Sequence, residues 1–163
     1  MGDSAGAAPL AELLVREGDI AGDYLEQFLD IVDFDGDIDM DVEADRAAVA
    51  IVGADLSALV GPRGVTLDAL QELTRLAVLR QTGARSRLML DIGGYRARRR
   101  QELVAVGKNA AEQVRSHGDR VALDPMNPFE RKVIHDAIAA IAGVSSESEG
   151  EEPDRRVIVL PAG

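Results

Sequence analysis

Four residues, Gly61-Pro62-Arg63-Gly64, restrict the fold of this chain more than any other stretch. A helical apolar pattern, Leu56, Leu59 and Val60, ends at the first glycine, and another, Leu67, Leu70, Leu73 and Ala77, starts just after the second. Two helices must therefore meet across a very short link. Glycine has no Cβ, so backbone at either end of the link can approach a ligand closely, and the N-terminus of the following helix favours an anion. The same tetrapeptide can serve purely as a tight helix–helix turn, so the flanking sequence decides between the two readings.

On the N-terminal side, Tyr24, Leu25, Phe28, Leu29 and Val32 recur at helical spacing and predict an amphipathic helix over about residues 19 to 33. Ile38, Met40 and Val42 then alternate with Asp37, Asp39, Asp41 and Glu43, and Val49 and Ile51 alternate after a turn near Asp45. This is the pattern of a hairpin with one buried face. Asp55 is placed to cap the short helix that ends at Gly61, and Leu88, Leu90 and Ile92 mark a third strand. The resulting order is α-β-β-α-α-β. In this order, with the Gly-x-x-Gly link between the two central helices, residues 19 to 92 resemble a KH domain of the bacterial, type II topology. The resemblance implies that Gly61, Pro62, Arg63 and Gly64 clamp the backbone of a single strand about four nucleotides long.

The second half opens its clearest helix with Asn127-Pro128-Phe129-Glu130, which reads as N-cap, N1 proline and capping-box glutamate. Arg131 and His135 follow four residues apart on one face, while Val133, Ile134, Ala137, Ile138 and Ile141 supply the buried side and Gly143 the stop. The run from Asp124 to His135 resembles the signature of the R-3-H (Arg-x-x-x-His) family of single-stranded nucleic-acid-binding domains. Two further words, Asp91-Ile92-Gly93-Gly94-Tyr95-Arg96 with Arg98 and Arg99, and Ser146 to Gly150 with Pro153 to Arg156, resemble the bacterial Jag (SpoIIIJ-associated) family, which joins a KH domain to an R-3-H domain. Arg96, Arg99, Arg131 and His135 are therefore candidate nucleic-acid contacts alongside the loop. His135 reads equally well as a structural residue bonded to a backbone carbonyl.

The fold class expected is mixed α/β, in the α+β sense: a KH module over 19 to 92 and an R-3-H module over 94 to 160, preceded by a disordered segment over 1 to 18. A helix from about Arg96 to His117, a short strand over Val121 to Leu123, and a final hairpin ending in Val157 to Leu160 complete the second module. The acidic stretch Glu147 to Asp154 is expected as the solvated turn of that hairpin. The sequence departs from the family at Pro62, where relatives carry a basic or polar residue; proline has no N–H to offer a phosphate. Many Jag proteins begin with a further small domain and a charged linker; with about eighteen residues before the first helix, the role of that domain is expected to be absent here.

A net charge of −11 taken as a whole opposes binding to a polyanion, but the charges are segregated. Residues 1–60 hold 2 basic and 15 acidic residues, 61–132 hold 14 and 8, and 133–163 hold 2 and 6. The basic surplus starts at the Gly-x-x-Gly link and stops at the Arg131 helix. Aromatic residues make up only 3% of the chain, which favours an aliphatic groove with backbone hydrogen bonds over stacking on an aromatic sheet.

Alternating Asp33, Asp35, Asp37, Asp39 and Asp41 invite a calcium reading, but Ile38 stands where an EF-hand needs glycine and Ala44 where it needs an acid. A solvated strand face explains them without metal. With two histidines, no cysteine, and neither a nucleophile elbow nor a P-loop, the sequence points away from an enzyme, a metal or a cofactor. No run of 18 apolar residues argues for membrane insertion, and a cytoplasmic location is expected. Single-stranded RNA is the expected partner. The Jag resemblance adds a small single-domain KH protein as a second partner and a post-transcriptional role in cell-wall growth or division. The alternative is a protein-interaction adaptor with little affinity for nucleic acid.

Overall fold

The computed structural model describes residues 4–163, with side chains from Pro9 onward. The chain divides into two compact units, Met1–Arg96 and Ala97–Gly163. The first unit runs α1 (Ser4–Val32), β1 (Asp37–Glu43), β2 (Arg46–Val52), α2 (Ser57–Val60), a single 3-10 turn (Pro62–Gly64), α3 (Val65–Thr82) and β3 (Met89–Ile92). The expected α-β-β-α-α-β order is present.

Its three strands lie in the order β1-β2-β3. β1 and β2 pair antiparallel with Met40 opposite Val49 and Ile38 opposite Ile51, whereas β2 and β3 run parallel with Val49 opposite Leu90 and Ile51 opposite Ile92. Parallel neighbours need a crossover, and α2, the 3-10 turn and α3 supply it. Ala47, Val49 and Ile51 alternate inward from the central strand and meet Leu25 and Leu29 of α1, Leu67, Leu70 and Val78 of α3, and Leu88, Leu90 and Ile92.

Four local expectations change. The first helix begins at Ser4 rather than near residue 19, so residues 4–18 of the segment expected to be disordered are helical, and residues 1–3 lie outside the described residues. Leu14 and Glu17 on this extension are buried, and Ser86 donates to Glu17 Oε2 at 3.0 Å, so the extension packs into the unit. Met40, expected inward, remains 49% exposed because β1 is an edge strand. Its sulfur lies over Gly22 of α1, at 2.9 Å from where a Cβ would stand. The N-cap of α2 is Leu56, with no side-chain cap, rather than Asp55. Finally, Leu73 lies outside the buried stripe of α3, which runs through Leu67, Leu70, Gln71, Thr74 and Val78. Two of those five are polar, which hid the true face. Thr74 Oγ1 donates to the Leu70 carbonyl at 2.7 Å, and Gln71 Oε1 accepts from the Leu90 N–H at 3.0 Å, so both are satisfied inside the core.

The second unit contains most of α4 (Tyr95–His117), followed by β4 (Val121–Ala122), α5 (Pro128–Ala139), β5 (Val144–Glu149) and β6 (Arg156–Pro161). Its sheet is antiparallel in the order β4-β6-β5. Leu103, Ala110, Ala111 and Val114 of α4 pack with Ile134 and Ile138 of α5 and with Val157 and Val159 of β6. The α5 start is as expected: Asn127 Oδ1 accepts the Glu130 N–H at 2.8 Å and Glu130 Oε1 accepts the Asn127 N–H at 3.3 Å, with Pro128 at N1. The acidic stretch is only partly a turn. Glu147 to Glu149 belong to β5, pairing opposite Ile158 to Arg156.

Candidate nucleic-acid interface

Between α2 and α3 the backbone takes conformations that only glycine adopts without strain. Gly61 sits at φ 72°, ψ 175°, and a Cβ there would fall 2.3 Å from Thr66 Oγ1. Gly64 sits at φ 76°, and its Cβ would fall 2.7 Å from the Tyr95 ring. Both glycines are thus required by the turn and by its packing, before any ligand is considered. Both glycine N–H groups of the link point inward: Gly61 donates to the Ser57 carbonyl at 3.1 Å and Gly64 to the Gly61 carbonyl at 3.2 Å; Val65 just after it donates to the Pro62 carbonyl, and Pro62 has no donor. What the link offers outward is the exposed Arg63 side chain, held at φ 55°, beside the start of α3.

Arg96 is placed differently. Its Nε donates to the Leu90 carbonyl at 2.7 Å, and its terminal nitrogens reach Asp68 Oδ1 at 3.3 Å and Gln71 Oε1 at 3.0 Å. Its guanidinium fastens β3 to α3, and Asp68, the acid in the first turn of α3, is its ion-pair partner. Arg99 donates from Nε to Glu130 Oε2 at 2.7 Å and reaches Glu102 at 3.3 Å, so it ties α4 to the capping box of α5.

The two signature residues of α5 are likewise enclosed. Arg131 is 7% exposed. One terminal nitrogen donates to the Met126 carbonyl at 2.7 Å and the other pairs with Glu152, whose carboxyl is held below its ordinary range chiefly by that hydrogen bond. His135 lies between two hydroxyls, with Nδ1 2.7 Å from Ser146 Oγ and Nε2 2.8 Å from Ser148 Oγ. Ser146 and Ser148 are two apart on β5 and share a face. Burial, followed by the nearby Arg131, pushes the His135 pKa down, which favours the neutral ring. The serines and Glu152 were the part sequence reasoning missed; the signal was the alternation in Ser146-Glu147-Ser148-Glu149, which marks a strand rather than a turn.

Elsewhere the basic surplus is partly answered within each unit. Arg87 pairs with Asp45 at 2.6 Å, Arg120 with Glu149 at 2.7 Å and Lys132 with Asp136 at 3.0 Å. These pairs are exposed and therefore weak, and a stronger anion can replace the carboxylate. Among the described residues no group of His, Asp or Glu is placed to hold a metal ion, and no helix is long and apolar enough to cross a membrane.

The R-3-H domain profile matches residues 101–161. The RNA-binding protein KhpB of Clostridium symbiosum is 39% identical over 143 residues, covering 86% of this chain and 64% of that protein. The chain belongs to the KhpB, or Jag, family. KhpB of Lactiplantibacillus plantarum is 33% identical, covering 84% of the chain and 42% of that protein, and KhpB of Bacillus subtilis is 30% identical, covering 83% and 66%. The chain therefore spans less than two thirds of the length of each of these relatives. The family match covers both units, and the R-3-H match falls on the unit that holds Arg131 and His135.

Proposed function

We propose that this chain is a single-stranded RNA-binding protein of the cytoplasm, not an enzyme, that grips the strand with a KH-type loop in its first unit and the α5 region in its second. The observation that carries the reading is the Gly61–Gly64 link, a turn locked from within that sets an exposed arginine at the start of an 18-residue helix. Because both glycine N–H groups are used internally and Pro62 has none, the loop meets phosphate through Arg63 and the first turn of α3. Binding is accordingly modest and salt-sensitive, each neutralised phosphate adding about 0.7 to the logarithmic salt slope on single strands.

In the second unit, Arg131 engages a phosphate by exchanging it for Glu152. That carboxylate is half exposed and lies on the β5–β6 connection, whereas the Met126 carbonyl keeps hold of the other side of the guanidinium. His135 positions β5 against α5 through its two serines, and it reaches the strand only if one hydroxyl is given up. RNA-binding KhpB relatives support the ligand class, and the wider role, regulation after transcription in cell-wall growth or division, follows from the family resemblance.

A second reading has its own support. Val65, Leu73 and Leu76 lie on one face of α3 and are 63%, 51% and 58% exposed. Such a stripe suits a protein partner, and the small single-domain KH protein implied by the resemblance is the one we propose for it. Titration of labelled single-stranded RNA at two salt concentrations separates the readings. Saturable binding that weakens with salt, with duplex of equal length competing poorly, supports the RNA role; no binding at low salt leaves only the adaptor.

A further inference from the structure

Phe129 is 40% exposed, whereas Tyr24, Phe28, Phe34 and Tyr95 all pack against the core of the first unit. A phenyl ring left in water gives up much of the free energy of its burial, so a fixed, wet ring needs a reason. This ring is fixed. It occupies the second position of α5, between Pro128 at N1 and Glu130, whose carboxylate closes the capping box and binds Arg99. The next residue of α4, Arg100, holds its guanidinium 5.5 Å from the ring centroid, within cation–π range. Among the described residues Arg100 makes no ion pair with a carboxylate. Lys132, three positions along and so on the same helix face as Phe129, is exposed and paired only with the exposed Asp136.

An exposed aromatic plane with a guanidinium over it and a lysine on the same helix face matches a nucleotide better than a protein side chain. We infer that Phe129 and Arg100 form a nucleobase-stacking subsite, the ring taking the face of an unpaired base while Arg100 and Lys132 meet the flanking phosphate. The subsite deepens the proposed RNA binding and rests on it. It lies on a different face of α5 from Arg131, because residues two apart on a helix point about 200° from one another. The low aromatic content of the chain argues against a sheet of stacking platforms, but one exposed ring is enough for one base.

The test compares a short single-stranded RNA with an abasic oligonucleotide of equal length and charge, using the full chain. Wild type binds the base-bearing strand more tightly. Phe129→Leu loses on the order of ten-fold in affinity for that strand and nothing for the abasic one, with an unchanged salt slope and melting temperature. Because the chain contains no tryptophan, Phe129→Trp introduces a single indole, whose emission falls as the base-bearing strand saturates the protein and stays constant with the abasic strand. Unchanged affinity in Phe129→Leu, or constant indole emission with the base-bearing strand at saturation, overturns the subsite while leaving RNA binding intact. Failure of wild type to bind either strand overturns the underlying reading and the subsite with it.

Discussion

The loop of the first unit and the signature helix of the second carry motifs of the same chemical class in opposite states. At Gly61–Gly64 the glycine donors are turned inward and the arginine side chain is exposed; at Arg131 and His135 it is the side chains that are turned inward, onto Met126, Glu152, Ser146 and Ser148. Residue type and spacing define what chemistry is available in principle. Burial and the competing partner decide whether a ligand can use it. The loop carries its arginine exposed on the surface, whereas Arg131 is buried and must first release a carboxylate.

The contrast can be broken most forcefully at the glycines. Gly61→Ala combines a backbone region open essentially to glycine alone with a Cβ placed 2.3 Å from Thr66 Oγ1, and it should cost about 3 kcal/mol in denaturant unfolding of the first unit. A loss under 1 kcal/mol would show that the turn relaxes and that the glycines are kept for the ligand alone.

Arg131→Ala comes next. The Met126 carbonyl and Glu152 both lose a charged donor, and a loss of about 2 kcal/mol in unfolding free energy is expected. Glu152→Ala sharpens the comparison further. It removes only the half-exposed partner, so the melting temperature should change less than in Arg131→Ala while RNA affinity rises a few-fold. Unaltered or weaker binding in Glu152→Ala would mean that Arg131 is a purely structural residue.

The smallest effect is in pH. His135 has its pKa depressed by burial and by Arg131, with Asp136 acting in the opposite sense, so below about 6.5 the unfolded chain takes up a proton that the folded chain resists. The contribution of the neutral ring is complete above that value and declines as pH falls toward the depressed folded value. Melting temperature should therefore decrease from pH 7 to about 5 more steeply in wild type than in His135→Gln. Glu152 and Asp45, held low by Arg131 and Arg87, lose their contributions only in the more acidic carboxylate window. A rise in RNA affinity on acidification through 6.5, which an exposed His135 would give, is not expected.

How much of this was legible in the sequence differs by element. Strong periodicity and local capping chemistry revealed the hairpin, the Asn127 capping box and the order of the first unit, because those signals are written within a few adjacent residues. The buried face of α3 was misread because Gln71 and Thr74 are polar and become core residues only through bonds to Leu90 and Leu70. The early part of α1 was read as disordered although Leu10, Leu13 and Leu14 stand at helical spacing; the bond from Ser86 to Glu17, 69 residues away, is invisible to local pattern. For the site, the motif residues were readable but their availability was not. Arg96, Arg99 and Arg131 belong to the basic surplus in sequence, yet each meets an acceptor that lies between 21 and 31 residues away. Charge counts cannot see such partners. Phe129 stood inside the recognised capping motif, and only its exposure and the Arg100 guanidinium over it mark it out.

The central claim is that the Gly61–Gly64 link presents charge to the sugar-phosphate backbone of a single strand through Arg63. Replacing Pro62 and Arg63, both exposed, together by Asp places two negative charges at that contact without touching the glycine positions. Measured against labelled single-stranded RNA at two salt concentrations, the double variant should show lower affinity and a salt slope reduced by about 0.7 or more, at a melting temperature equal to wild type. Affinity and slope both equal to wild type in a folded double variant would contradict the claim.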